Sequence, residues 1–154
     1  MKNNSMGDNS IDKLTGLANR NALISYVSKL IKERENQVWQ IAMVHIDSIG
    51  GINKSYGFEE GDNALRDLAD ILLKLSHISY AGRYENDEFI IFASPEHKMD
   101  DVLKEADEAV AALNNKGKRP FTLKIGHIQE QFMLKPGLSP EDIFEKLDEK
   151  IHQP

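Results

Sequence analysis

The stretch YAGRYENDEFIIFA, Tyr80 to Ala93, decides the fold. Tyr80 to Tyr84 and Glu88 to Ala93 are rich in aromatic and β-branched residues. Glu85, Asn86 and Asp87 between them are turn formers, so the pattern predicts a β-hairpin. Upstream, Val38 to Asp47 (VWQIAMVHID) is almost continuously apolar, as a central strand covered on both faces should be. Gly50-Gly51 ends it, and a loop is expected there. Between that loop and the hairpin, Ala64, Leu65, Leu68, Ile71, Leu72 and Leu75 recur at helical spacing. After the hairpin, Val102, Leu103, Ala106, Ala109, Val110 and Leu113 predict a second crossover helix, closed by Asn114, Asn115 and Gly117. Phe121 to Ile128 is expected to be the last strand. Leu23, Ile24, Val27, Leu30 and Ile31 mark an opening helix over Asn21 to Asn36. A closing helix starts with Ser139 as cap and Pro140 at the first helical position, and carries Ile143, Phe144, Leu147 and Ile151.

Strand, helix, strand, strand, helix, strand is the βαββαβ order. It folds most simply as a ferredoxin-like sheet with its crossover helices on one face. The opening and closing helices then cover the other face, which makes the fold class α/β (α+β). Right-handed crossover leaves a gap between the first two strands, and the third strand fills it antiparallel. That topology sets His45 and Asp47, at the end of the first strand, beside the hairpin turn. Asp47, Glu85, Asp87 and Glu88 therefore converge on one edge with a histidine. Paired carboxylates on adjacent strands are how palm-type nucleotidyl transferases hold Mg²⁺ against a triphosphate. Acids are also ordinary in turns, so convergence alone leaves both readings open.

The 154 residues suit one domain: a lead-in over 1–10 (MKNNSMGDNS) and a single folded unit over 11–154. There is no cysteine, so disulfides and thiolate chemistry are excluded. No apolar run is long enough for a membrane helix, and the first ten residues carry no signal-peptide core. A net charge of −6 disfavours a nucleic-acid polymer, whose binding rests on phosphate neutralisation. A cytoplasmic protein handling something small, or another protein, is the expectation.

Four motifs carry a family resemblance. Asp12-Lys-Leu-Thr-Gly-Leu-Ala-Asn-Arg20 is similar to the DxLTGLxNR signature that opens GGDEF domains, the diguanylate cyclase family. Ile46-Asp47, Ile52-Asn53, Gly57, Gly61-Asp62 and Leu65 track that family's DxDxFKxxNDxxGHxxGDxxL run. Arg83 to Phe89 (RYENDEF) sits where the family has RYGGDEF, so ENDEF stands in place of GGDEF. Ser139 to Asp148 resembles the family's closing helix. The four occur in order and at matching spacing from Asp12 onward.

The resemblance implies a nucleotidyl-cyclase-like fold and condensation of two GTP molecules, one per protomer of a dimer, to cyclic di-GMP. It places base recognition at Asn53 and Asp62, a metal ligand at Asp87, and a further signature acid at Glu88. It also marks departures. His45 stands where the family has its first metal-binding Asp, and imidazole suits Mg²⁺ poorly. Asp47, two residues on and on the same strand face, is the available replacement ligand. Glu85 and Asn86 replace the Gly-Gly, which adds a charge near a triphosphate. Gly50-Gly51, Lys54 and Phe58 replace the family's basic segment, an Asp and a His. Ser76 and Ser79 occupy the two ends of the RxxD product-inhibition site, so that site is expected to be absent.

Losing a metal carboxylate and gaining a repelling one each remove several kcal/mol of transition-state stabilisation. At about 1.4 kcal/mol per decade, many orders of magnitude in rate go with them. The sequence is therefore expected to be a degenerate GGDEF domain: a regulatory or protein-interaction module with vestigial Asp87 and Glu88 and weak GTP or GMP binding. No cofactor is expected, and Mg²⁺ only if activity is retained. The expected partners are a protein or an adjacent signalling domain such as an EAL domain, and a second copy in a homodimer. An active cyclase and a nucleotide-free dimerisation scaffold are the alternatives. The competing structural readings are helix capping for Asn53 and Asp62, a strand-end ion pair for Glu88, and a half-buried strand position for His45. Gly126-His127 and Trp39 read as structural.

Overall fold

The computed structural model describes residues 9–153. In chain order the elements are α1 (Arg20–Glu33), β1 (Val38–Ile46), α2 (Ile49–Tyr56), α3 (Phe58–Leu73), β2 (Ile78–Glu85), β3 (Glu88–Ala93), α4 (Met99–Asn115), β4 (Ile125–Met133) and α5 (Pro140–Ile151). The sheet order is β2-β3-β1-β4, and β3 lies antiparallel between β1 and β2 as the crossover argument requires.

Alternation along the central strands divides the core. Ala42, Val44 and Ile46 of β1 and Phe89 and Ile91 of β3 pack with Leu65, Leu68, Leu72, Val102 and Ala106 from α3 and α4. Trp39, Ile41, Met43, Ile90 and Phe92 face the other way, onto Leu23 and Val27 of α1 and Ile143, Phe144 and Leu147 of α5. All six residues of β3 are buried, which explains why its sequence has no polar face. Helices thus cover both faces.

Three expectations are corrected. The first concerns Gly50-Gly51, which lies inside the short helix α2 and not in a loop. Ser48 turns the chain there in the left-handed region (φ 61°), and its carbonyl accepts from Ile52 N at 3.0 Å. Burial of Ile52 offsets the roughly 1 kcal/mol that each glycine costs a helix.

The second is the last strand, which runs over Ile125–Met133 and not over 121–128. The backbone of Leu123 is bonded to the Asn114 side chain at both its N–H and its carbonyl, so it is unavailable to the ladder. The ladder continues instead to Val38↔Met133, through the polar Gln129-Glu130-Gln131 that masked the strand.

The third is the hairpin turn. Glu85 pairs with Glu88, so Asn86 and Asp87 alone form a two-residue turn. Two-residue hairpins favour positive φ, and Asn86 (φ 26°) is the residue type that tolerates it after glycine.

The closing helix starts as expected: Ser139 and Asp142 form a reciprocal capping box with Pro140 at the helix start. Residues 1–8 of the expected lead-in lie outside the described residues. Asn9 and Ser10 are held by their carbonyls, which accept from Asn19 Nδ2 and N at 2.7 and 2.9 Å.

Candidate functional site

The site is built from three chain ends meeting at one edge of the sheet: the end of β1, the β2–β3 turn and the last turn of α5. His45 is directly opposite Glu88 on β3 and opposite Gly126 on β4. A methyl on Gly126 would reach the His45 ring, so the glycine makes room for the imidazole. Asp47, just past the strand, brings Oδ1 to 3.3 Å from His45 Nε2. The expected shared face of His45 and Asp47 is therefore present.

Glu88 is the buried member, 6% exposed. Its surroundings push its carboxyl up to about 8, through burial first and then Asp148, Asp87 and Glu85. Oε1 is buried without a hydrogen-bond partner, while Oε2 lies 3.5 Å from His152 Nε2. Among the described residues, Glu88, Asp148 and His152 form a trio whose ligating atoms all lie within 4.8 Å of one another. Asp148 and His152, at the end of α5, were not singled out from the sequence. The signal was their i, i+4 spacing, which places both on one helix face, but no pattern said that this face meets β3. Asp87 is half-buried in the turn and lies outside this trio.

Glu85, paired across the hairpin with Glu88, is held by the start of α1. Its Oε1 accepts from Arg20 at 2.7 Å, and the Arg20 guanidinium also lies 4.5 Å above the Tyr84 ring. An extra residue in β2 between the Arg83 and Glu85 pairings makes the local bulge that accommodates Tyr84. The opening motif is a brace for the same hairpin. Asp12 Oδ2 accepts from the Thr15 amide and hydroxyl at 3.0 and 2.7 Å, and both its oxygens lie 3.2 Å from Arg83 Nη1. Burial works to raise the Asp12 carboxyl, but Thr15 and Arg83 outweigh it and hold it below the usual range. Asn19 caps α1 through Ala22 N at 2.9 Å.

Asn53 and Asp62 sit on α2 and α3. Neither caps a helix: Ser48 and Gly57 hold the N-cap positions. The Asn53 side chain lies across Gly61, where a methyl would land on its amide oxygen. Only a glycine there lets the amide sit between the two helices. Beside α2, a pocket of about 420 Å³ is lined by Asp47, Ser48, Gly51, Ser55, Tyr56 and Lys124, among others. Lys124 is the cation at this opening that sequence reading missed. Its carbonyl is placed there by the bond it accepts from Asp47 N. Ser76 bonds Glu105, and Ser79 Oγ is 2.9 Å from the Tyr26 hydroxyl, so both serines serve internal contacts.

The family model described as diguanylate cyclase, GGDEF domain, matches residues 9–153. The cyclic di-GMP phosphodiesterase PdeR of Escherichia coli (strain K12) is 29% identical over 132 residues, covering 84% of this chain and 19% of PdeR. The response regulator PleD of Caulobacter vibrioides is 26% identical over 153 residues, covering 92% of this chain and 33% of PleD. The chain thus spans about a fifth to a third of the length of these curated relatives. Among solved structures, the coiled coil and GGDEF domain of DgcB from Caulobacter crescentus, in complex with c-di-GMP, is similar with a TM-score of 0.81. It is 22% identical, and the match covers 97% of this chain and 82% of that one. The diguanylate cyclase SiaD of Pseudomonas aeruginosa, in complex with its activator SiaC, is similar with a TM-score of 0.79 at 20% identity. That match covers 96% of this chain and 59% of SiaD. At these identities the solved structures speak to the fold.

Proposed function

The chain belongs to the GGDEF domain family of diguanylate cyclases, and from that premise we propose that it serves cytoplasmic cyclic di-GMP signalling as a regulatory, protein-interaction module that does not itself condense GTP. The observation that carries this reading is the donor set at the end of β1. Mg²⁺ bound there would neutralise triphosphate charge and prefers oxygen ligands in octahedral array. The residues present do not fit it. His45 offers nitrogen, and its ring contacts Asp47, the carboxylate available as a substitute. The curated relative PdeR supports the module reading, since it is named for phosphodiesterase and not for cyclase activity.

Base recognition is the part proposed to persist. Asn53 carries both a donor and an acceptor, and the Asp62 carboxylate suits the two N–H groups on guanine's Watson–Crick edge. Neither side chain is consumed by capping. Without a held metal, binding is expected to be weak, roughly 4–6 kcal/mol, and no tighter for GTP than for GMP.

The active-cyclase alternative draws on one observation: Glu85, the repelling charge of the altered turn, is neutralised by Arg20. Incubation of the protein with GTP and Mg²⁺ or Mn²⁺, followed by chromatography, separates the two readings. No cyclic di-GMP is expected, and His45→Asp alone is expected to leave that result unchanged. Turnover by the unaltered protein would establish the cyclase. Chemical-shift titrations with GMP, GTP and ATP test the base site. A guanine-selective response is expected, and equal or absent responses would leave the interaction scaffold.

A further inference from the structure

We propose that Glu88, Asp148 and His152 form a binding site for one divalent transition-metal ion of the Zn²⁺ class. The inference is independent of whether the chain binds or converts nucleotide.

Each of the three offers one ligand atom within 4.8 Å of the others. Ligands about 2.0–2.2 Å from a tetrahedral ion sit roughly 3.3–3.6 Å apart, so the group needs about an ångström of closure. His152 and Asp148 lie at the exposed end of α5 and can supply it, with side chains 58% and 43% exposed. Glu88 is fixed, and its state points to a ligand. It is 6% exposed, yet Oε1 is buried with no hydrogen-bond partner. A buried carboxylate with an unsatisfied oxygen is costly unless a proton or a metal cation meets it, and an ion bound here would take the place of the proton.

The histidine is already oriented for a metal. Nδ1 lies 2.8 Å from the Asp148 carbonyl oxygen, which can only accept, so Nδ1 carries the hydrogen. In the neutral ring Nε2 then carries the lone pair, 3.5 Å from Glu88 Oε2. A metal-binding imidazole that donates its other N–H to a backbone carbonyl is the usual way the tautomer is set. His45 stands opposite Glu88, its ring 6.4 Å from that of His152, and lends a second imidazole to the border of the site.

The chemistry of the set chooses the ion. One imidazole and two carboxylates suit Zn²⁺, Co²⁺ or Ni²⁺, whereas Mg²⁺ wants oxygen throughout and keeps its waters. Three protein ligands leave a fourth position at the exposed side for water.

Calorimetric titration of EDTA-stripped protein with ZnCl₂, and Co²⁺ absorption as a reporter of coordination, test this without any nucleotide. One ion per chain is expected, undisturbed by millimolar Mg²⁺, with Zn²⁺-induced amide shifts centred on residues 88, 148 and 152. His152→Gln and Asp148→Asn should each weaken Zn²⁺ binding at least about tenfold while leaving the melting curve in EDTA nearly unchanged. Both substitutions are at an exposed helix end, so a folding failure is not expected to obscure the result. His97→Ala, at the His77–His97 stack elsewhere on the surface, should change nothing. No Zn²⁺ uptake, or uptake equal in the His152→Gln and Asp148→Asn proteins, or uptake lost with His97→Ala, would overturn the proposal. Because no GTP or GMP is present, none of these outcomes bears on the base site or on turnover.

Discussion

Glu88 faces Glu85 across the hairpin and meets Asp148 and His152 from α5 and His45 from β1, with Asp87 beside it in the turn. A carboxyl held at about 8 against an ordinary value of 4.5 keeps its proton in the folded state where the unfolded chain releases it. Its contribution to stability is therefore complete below about pH 4.5 and is lost as pH rises toward 8. Glu88→Gln imitates the protonated form. In EDTA it should melt above the unaltered protein at pH 8.5, by on the order of 1–3 kcal/mol or several degrees. The gap should close by pH 5, and a gap that does not vary with pH would show that Glu88 ionises normally. Asp12 has the opposite sign. Its carboxyl is held low, so its stabilisation is present above about pH 4 and fades on acidification. Asp12→Ala leaves Arg83 and Thr15 without their shared partner. It should cost about 1–3 kcal/mol at pH 7 in denaturant unfolding, and progressively less as acidification protonates the folded-state carboxyl.

At the level of elements, the α2–α3 pair couples backbone packing to the base site through Gly61. Alanine is the better helix former by about 1 kcal/mol, so Gly61→Ala should not unfold α3. Its methyl would nonetheless displace the Asn53 amide. The expected result is an unchanged or slightly raised melting temperature with loss of the GMP-induced amide shifts. Retention of those shifts would remove Asn53 from base recognition. Lys124 and the pocket beside α2 show why this region resisted reading from the sequence. The segment 121–124 looks like strand by composition, but Asn114 takes both backbone groups of Leu123, and Thr122 and Lys124 beside it line the pocket. β-propensity describes a side chain's fit to a sheet and says nothing of a competing side-chain amide elsewhere.

At the level of the molecule, the two ends of the expected product-inhibition motif are tied to different helices. Ser76 is bonded to Glu105 of α4 and Ser79 to Tyr26 of α1, on opposite sides of the sheet. Recognition of cyclic di-GMP there would need a guanidinium fork and a carboxylate, and these contacts supply neither. Titration with cyclic di-GMP should leave the amides of residues 76–79 unmoved. Saturable micromolar shifts there would show that the surface binds by other means.

The sheet order was legible from the sequence because it follows from local facts. Turn residues between Tyr84 and Glu88 impose antiparallel pairing, and a right-handed crossover from Val38–Ile46 leaves a single slot for β3. The start of α5 was legible for the same reason, since Ser139, Pro140 and Asp142 act within one turn. The closeness of His45 to the hairpin acids followed from that topology. What only the tertiary structure decided is where the far end of α5 lands. Helical periodicity says that Ile143, Phe144 and Leu147 are buried, but their packing against α1 and the sheet sets the helix axis. That axis carries Asp148 and His152 onto Glu88, residues 60 and 64 positions apart in the chain. A non-local contact of this kind leaves no periodic trace, because it depends on the packing angle between elements and not on the spacing within one.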